Sequence, residues 1–184
     1  IHMDESAGNE YQNGQVNFDL TILATQDTVE ADSFNNQYDV FADYDGEISN
    51  EVSLVAAFSN GGTYKIVNDV VLSSYATVLE GKTVELDLGG KTLSVASGNV
   101  IRNKGNLTIA NGTLSGTTTY TINNESKTGV VKAVNVNSVN GGFFNAGSME
   151  VENCTIANTA SGKHALVNSG DAATILVING GTYS

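Results

Sequence analysis

The amino-acid sequence predicts an all-β fold, a parallel solenoid with coils of about 21 residues and a short helix over its N-terminal end. Two observations carry that prediction. An apolar trio of fixed internal spacing recurs five times, and each copy holds Asn or Gly at the same place between its second and third members. Composition agrees. There is no proline or tryptophan, glycine is abundant, and Val, Ile, Thr and Tyr recur in short runs without helical period, a pattern that favours strands.

The trios are Tyr64-Ile66-Val71, Leu86-Leu88-Leu93, Leu107-Ile109-Leu114, Met149-Val151-Ile156 and Leu176-Ile178-Tyr183. Their central residues are 22, 21, 42 and 27 apart. The step of 42 reads as two coils, with a missing copy near Val130. Thr128 and Val130 fit that copy, Asn135 stands where an apolar residue belongs, and the run from Val130 to Val139 supplies the coil in a shifted frame. The step of 27 reads as one coil plus a loop inserted within residues 157–173.

A spacing of two puts the first pair of each trio on one strand face. Four residues then separate it from the third member. The second of these four is Asn68, Gly90, Asn111, Asn153 or Gly180, the residue types that enter the left-handed region most readily. The fourth is Thr in four of the five copies, a β-branched residue suited to begin the next strand. Each unit is therefore strand, tight bend, strand. One coil cannot bury its own apolar face, so neighbouring coils must. Like residues would then lie over like, with an aliphatic stack inside and Asn or Thr ladders at the corners. The competing fold is an antiparallel sandwich with hairpin turns at the Asn-Gly pairs, but hairpins alone do not explain a fixed period.

At the N-terminal side, Ser49 or Asn50 can cap a helix and Gly61 or Gly62 can end it. Within residues 49–62, Val52, Val55, Ala56 and Ser59 share a helical face flanked by Leu54 and Phe58. Such a helix would cover the open end of the core. Residues 63–184 are the solenoid, whose last trio lies at the C-terminus as in a fragment of a longer stack, or an end that pairs with another chain. Ile1-His2-Met3 reads as a cloning scar. Residues 4–48 form a separate acidic segment for attachment, oligomerisation or packing on the solenoid. In it Val16, Phe18, Leu20 and Ile22 suggest one strand, and Tyr38, Val40 and Phe41 another.

The net charge of −12 is concentrated, because residues 1–51 carry twelve acidic side chains and no Lys or Arg. With no basic patch, nucleic acid and anionic membrane surfaces are disfavoured as partners. No apolar run approaches the ~18 residues that span a bilayer. The single cysteine, Cys154, excludes an internal disulfide and reads as an inert turn or core residue.

The segments Leu54–Tyr64, Gly81–Leu93 and Leu107–Leu114 resemble pectate-lyase-like, right-handed parallel β-helix proteins, over about residues 52–184. That fold hosts lyases, hydrolases, adhesins and phage fibres. The likeness is strongest to repetitive bacterial surface proteins, with phage fibre or capsid-decoration proteins second. It implies a right-handed coil and an extracellular, cell-surface or virion location.

The residues that would carry chemistry in that fold are sparse. Arg102-Asn103-Lys104 is similar to the Arg-x-Lys element of β-helical polygalacturonases, but their Asn-Thr-Asp, Asp-Asp and Gly-His-Gly elements are absent. Without paired carboxylates there is no acid and base for glycoside cleavage. Arg102 and Lys104 therefore read as exposed strand residues, and His164 as a solvated loop residue. Asp43-Tyr44-Asp45-Gly46-Glu47, with Glu51, does not fit a calcium-loop frame and reads as a solvated acidic loop. Asn106, Asn111, Asn124 and Asn153 open Asn-x-Ser/Thr patterns, which are expected by chance in so Asn- and Thr-rich a chain. Thr117-Thr118-Thr119 is too local for an ice-binding row.

The expected function is a non-enzymatic, adhesin-like scaffold that contacts glycans or a host surface, using no cofactor and no metal. Its ligand surface would be the exposed coil sides and the loops at residues 115–129 and 157–173. The alternatives are a virion fibre or decoration protein, trimeric through residues 4–48, and a non-catalytic fragment of a carbohydrate-active enzyme.

Overall fold

Apolar pairs repeating along a chain are buried only when each strand finds the next beside it, and here parallel stacking supplies that neighbour. A computed structural model describes residues 44–117, 120–159, 161–169 and 173–184. In chain order the elements are β1 (Gly46–Ile48), α1 (Glu51–Asn60), β2 (Gly62–Ile66), β3 (Val70–Leu72), β4 (Ala76–Val78), β5 (Thr83–Asp87), β6 (Thr92–Val95) and β7 (Ile101–Asn103). They continue as β8 (Asn106–Ser115), β9 (Tyr120–Asn124), β10 (Val130–Val139), β11 (Gly142–Asn145), β12 (Ser148–Glu152), β13 (Thr155–Ala157), β14 (Leu166–Asn168), β15 (Ile175–Asn179) and β16 (Thr182–Tyr183). All the pairings between them are parallel. The fold is an all-β parallel solenoid, and the hairpin sandwich is excluded.

Each coil crosses three walls. The first wall runs β1-β2-β5-β8-β10-β12-β15. The second joins β3 to β6, then the distal halves of β8 and β10, then β13 and β16. The third is a separate sheet in the order β4-β7-β9-β11-β14. Strand residues at alternate positions point into one continuous core that includes Ile66, Leu86, Leu93, Ile101, Ile109, Leu114, Ile122 and Phe143, none of them measurably exposed.

The register departs from the period read in the sequence. Ile109 pairs with Ala133 and Ala133 with Val151, so the step of 42 divides into 24 and 18, not into two equal coils. The shifted frame places Val131, Ala133 and Ser138 over Leu107, Ile109 and Leu114. Asn135, the apparent misfit, is the corner residue above Asn111, and the two have φ of 53° and 59°. Ser138 is tolerated in the core because its hydroxyl donates to the Gly141 carbonyl at 2.6 Å and bonds Thr121 Oγ1 at 2.5 Å. Two trio assignments fail. Val71 is 69% exposed, because Val70 and not Val71 lies under Leu93. Leu86, not Leu88, pairs with Ile109. Leu88 is still buried at the corner, where it lies directly under Gly112, leaving no room there for a Cβ.

Helix α1 begins at a reciprocal cap: Ser53 N–H donates to Asn50 Oδ1 at 3.0 Å and Asn50 N–H to Ser53 Oγ at 3.2 Å. Gly61, at φ 80°, ends it. The buried face is Leu54, Ala57 and Phe58, whereas Val52, Val55, Ala56 and Ser59 are exposed. The expected face is thus reversed: the large side chains at i and i+4 reach the core, and the smaller apolar residues remain outside. The strands suggested by Val16–Ile22 and by Tyr38–Phe41 lie outside the described residues.

The corner between the third and first walls holds a stack of asparagines, with Asn103, Asn124 and Asn145 buried and Asn168 exposed. Nδ2 of Asn103 donates to Oδ1 of Asn124 (2.9 Å), Asn124 to Asn145 (2.8 Å) and Asn145 to Asn168 (2.8 Å). The same amides bond one turn carbonyl and one carbonyl at the start of the next first-wall strand, Asn103 to Gly105 and Val130, Asn124 to Gly129 and Ser148, Asn145 to Gly147 and Ile175. The ladder stops at Asn103, whose Oδ1 is buried without a partner because Val78 occupies the next rung. Asn124→Ala, which breaks the ladder and removes the side-chain donor to the Gly129 and Ser148 carbonyls, while the Gly129 carbonyl keeps the Ser148 N–H, is expected to cost about 2 kcal/mol in urea unfolding. At the opposite corner, Asn135→Leu is expected to cost ~1–2 kcal/mol and Asn135→Gly almost nothing. A stabilising Asn135→Leu would refute the corner assignment.

Candidate functional site

On the third wall the inward residues alternate with one outward residue per strand, so the pairing lines up Thr77, Arg102, Asn123, Phe144 and Val167 as a single outer row. All five are half-buried. Tyr75, just before β4, flanks the row at its N-terminal end, and Tyr120, the first residue of β9, flanks it near Phe144. The Arg102 guanidinium lies over the Tyr75 ring, 4.0 Å from its centroid, in a cation–π contact. The Tyr120 and Phe144 rings sit 5.3 Å apart and tilted by 46°.

Glu125 joins the charges of this face. Its carboxylate is 3.4 Å from Lys104 Nζ and 3.8 Å from Arg102 Nε, and it accepts a long hydrogen bond from Asn123 Nδ2 at 3.5 Å. At 3.8 Å the Arg102 contact is ionic and not a hydrogen bond, which leaves Nε buried without a bonding partner. Two cations thus share one carboxylate, a local excess of positive charge. The expectation that Arg102 is a plain exposed strand residue needs correction. It is held between an aromatic face and a carboxylate, while Lys104 lies just past β7 and is exposed.

The expected ligand loops are not loops throughout. Residues 115–129 contain β9, with Thr121, Ile122 and Asn124 buried, and residues 157–173 contain β14. The surplus in the 27-residue step is split across β14. Ser138 pairs with Ile156 and Phe143 with Leu166, an extra five residues before it, and Met149 pairs with Leu176, an extra four after it. Residues 118–119 of the threonine run are outside the described residues. His164 is exposed, and its backbone carbonyl accepts from Asn158 Nδ2 at 3.0 Å.

The acidic stretch is likewise built into the fold. Asp43 lies outside the described residues, but Gly46–Ile48 is strand β1 and not a solvated loop, because its backbone pairs with β2. The Asp45 carboxylate accepts from Thr63 N–H at 2.7 Å, and Tyr44 Oη donates to Asp87 at 2.7 Å. Glu51 accepts from Ser73 Oγ and N–H at 2.6 and 2.9 Å, tying α1 to the loop after β3. Among the described residues no three His, Cys, Asp or Glu gather as a metal site. Of the four glycosylation patterns, the one at Asn124 is closed to modification because that side chain is the centre of the ladder. The repeat predicts Asn or Thr ladders at the corners, but it does not single out the residues that form this one, Asn103, Asn124, Asn145 and Asn168. Their signal is an apolar residue two before each asparagine, in Ile101-Arg102-Asn103, Ile122-Asn123-Asn124, Phe143-Phe144-Asn145 and Leu166-Val167-Asn168.

Cys154 is fully buried, its thiol near the carbonyls of Ala133 and Glu152 and the amide of Val136. Burial raises its pKa, so little thiolate is available. Native protein is expected to resist thiol reagents at neutral pH and to react with one equivalent once unfolded. The hydrogen bonds from the Ser73 hydroxyl, and then from its amide, hold the Glu51 carboxyl below its ordinary range. A depressed folded-state pKa gives a tether that is present above the ordinary glutamate value and lost as pH falls through the lower one. Amide exchange in α1 is expected to quicken across that acid window in the wild type, with a flatter profile in Glu51→Gln.

No known protein family matches the chain, and no curated protein matches it. Among solved structures, the chain is similar to one described as L. reuters 100-23 SRRP, at 20% identity and a TM-score of 0.51. The match covers 66% of this chain and 42% of that one, so this chain spans less than half the length of that structure. At such identity the likeness is one of fold, a parallel β-solenoid shared by both.

Proposed function

We propose that this solenoid is a non-catalytic scaffold of a bacterial surface protein, adhesin-like, that contacts glycans through the outer row of its third wall. The observation that carries the reading is the placement of Tyr75, Arg102, Tyr120, Asn123 and Phe144 along one sheet face. Aromatic rings offer apolar platforms to the C–H faces of sugars, while Arg102, Lys104 and Asn123 offer donors to their oxygens. A rigid sheet holds these groups at fixed spacing, which limits the ordering cost of binding. The fold shared with the bacterial protein described as L. reuters 100-23 SRRP is what supports the surface reading.

The non-catalytic part of the reading is supported by where the charged groups are used. Asp45 and Asp87 accept from Thr63, Tyr44 and Gly89 within the fold, and Glu125 is engaged by Arg102, Lys104 and Asn123. A carboxylate so committed is poorly placed to act as a nucleophile or proton donor. The right-handed sense proposed for the coil rests on the strong preference of parallel crossovers for that hand. No described helix is long and apolar enough to cross a membrane. No observation favours the virion reading.

Binding of the whole chain to immobilised host and plant glycans tests the proposal. A saturable signal is expected, weakened about tenfold or more by Tyr75→Ala with Phe144→Ala, the ~1.4 kcal/mol scale of a truncated hot spot. Binding that survives the double substitution would move the ligand off this face. Release of reducing or unsaturated sugar would refute the non-enzyme reading.

A further inference from the structure

The second wall has a chemistry of its own. Its strands, from β3 and β6 through the distal halves of β8 and β10 to β13 and β16, contain no charged residue. The one charge at its edge is Asp69, just before β3, whose carboxylate accepts from the Thr92 N–H at 2.8 Å beneath the first rung. The first wall by contrast carries Lys65, Glu85, Lys132, Glu150 and Glu152, and the third carries Arg102. Register aligns Thr92, Thr113, Asn137, Thr155 and Thr182 as one outward row. Beside it Ser94, Ser115, Val139 and Ala157 form a second row. The hydroxyls of Thr92, Thr113, Thr155 and Thr182 bond to no described group of the protein. This is the structural meaning of the threonine that fills the fourth place of most repeats.

We propose that this wall is an ice-binding face. Parallel stacking repeats the hydroxyl and methyl of the first row every ~4.8 Å along the axis, and the second row stands two residues, ~6.6 Å, away. A periodic, uncharged array of free hydroxyls separated by methyls can anchor a regular lattice of water, which charged side chains would disrupt by ordering water around themselves. Sugar rings fit this wall less well than the third, because no aromatic side chain points outward on its described strands. Asn137, Val139 and Ala157 interrupt the rows, so the activity expected is inhibition of ice recrystallisation more than strong freezing-point depression.

The test compares ice-grain growth in annealed frozen solutions of the whole chain with an equal mass of serum albumin. Wild type is expected to keep grains small. Thr113→Lys with Thr155→Lys is expected to lose the effect, and Thr108→Lys on the first wall to keep it, with folding of each checked by circular dichroism. Because the double variant adds charge and risks misfolding, Asn137→Thr with Val139→Thr gives the opposite arm, a gain over wild type. Wild type indistinguishable from albumin, a retained effect in the folded lysine variant, or no gain in the threonine variant would each overturn the proposal.

Discussion

The buried asparagine ladder is the interaction on which the register of the coils depends. Asn103, Asn124 and Asn145 are inside the protein, where an amide left unbonded is costly. Each satisfies its neighbour above and the turn carbonyls beside it, so a slip of one residue between coils would strand several polar groups at once. Aliphatic stacking is less selective. Leu, Ile and Val can exchange places in a core with modest loss, and the pairing of Leu86 rather than Leu88 with Ile109 illustrates that tolerance. A slip of two residues would keep the apolar face inward, and it is the ladder that opposes it.

The corners explain how coils of unequal length stay aligned. Asn111, Asn135 and Asn153 turn the chain in the left-handed region at the same corner, and Asn135 donates across a rung to Asn111 at 3.4 Å. Asn111 in turn donates to Asp87, which accepts from Tyr44. Surplus residues are expelled at the other junctions, around β9 and β14, where backbone can bulge outward without disturbing either stack. Coils separated by 24, 18 and 27 residues therefore present strands at a common spacing. The outer rows inherit that regularity, and with it any periodic or multipoint recognition.

Three walls on one axis also separate surface chemistries in space. The first is an ion-paired surface, with Lys132 between Glu150 and Glu152 at 3.6 and 4.0 Å. Such exposed pairs contribute little stability. The third gathers the aromatic and donor groups, and the strands of the second carry no charge, with Asp69 at their N-terminal edge. Each wall can change independently, because outward residues touch the core only through the backbone they share with their inward neighbours.

The fold class was legible in the sequence because burial imposes a period on apolar residues, and the bend residues mark where each period turns. Asn50 and Gly61 likewise announced the helix ends, since capping is local chemistry. What only the tertiary structure decided was register and facing. Asn135 looked like an error in the repeat until pairing made it a corner, and Val71 looked like core until Val70 displaced it. The outer row of Arg102, Asn123 and Phe144 joins residues about 21 apart with no shared residue type, so no local pattern reveals it. Spacing along a chain states which side of a strand a residue takes; which residues lie beside it is settled by hydrogen bonding between coils.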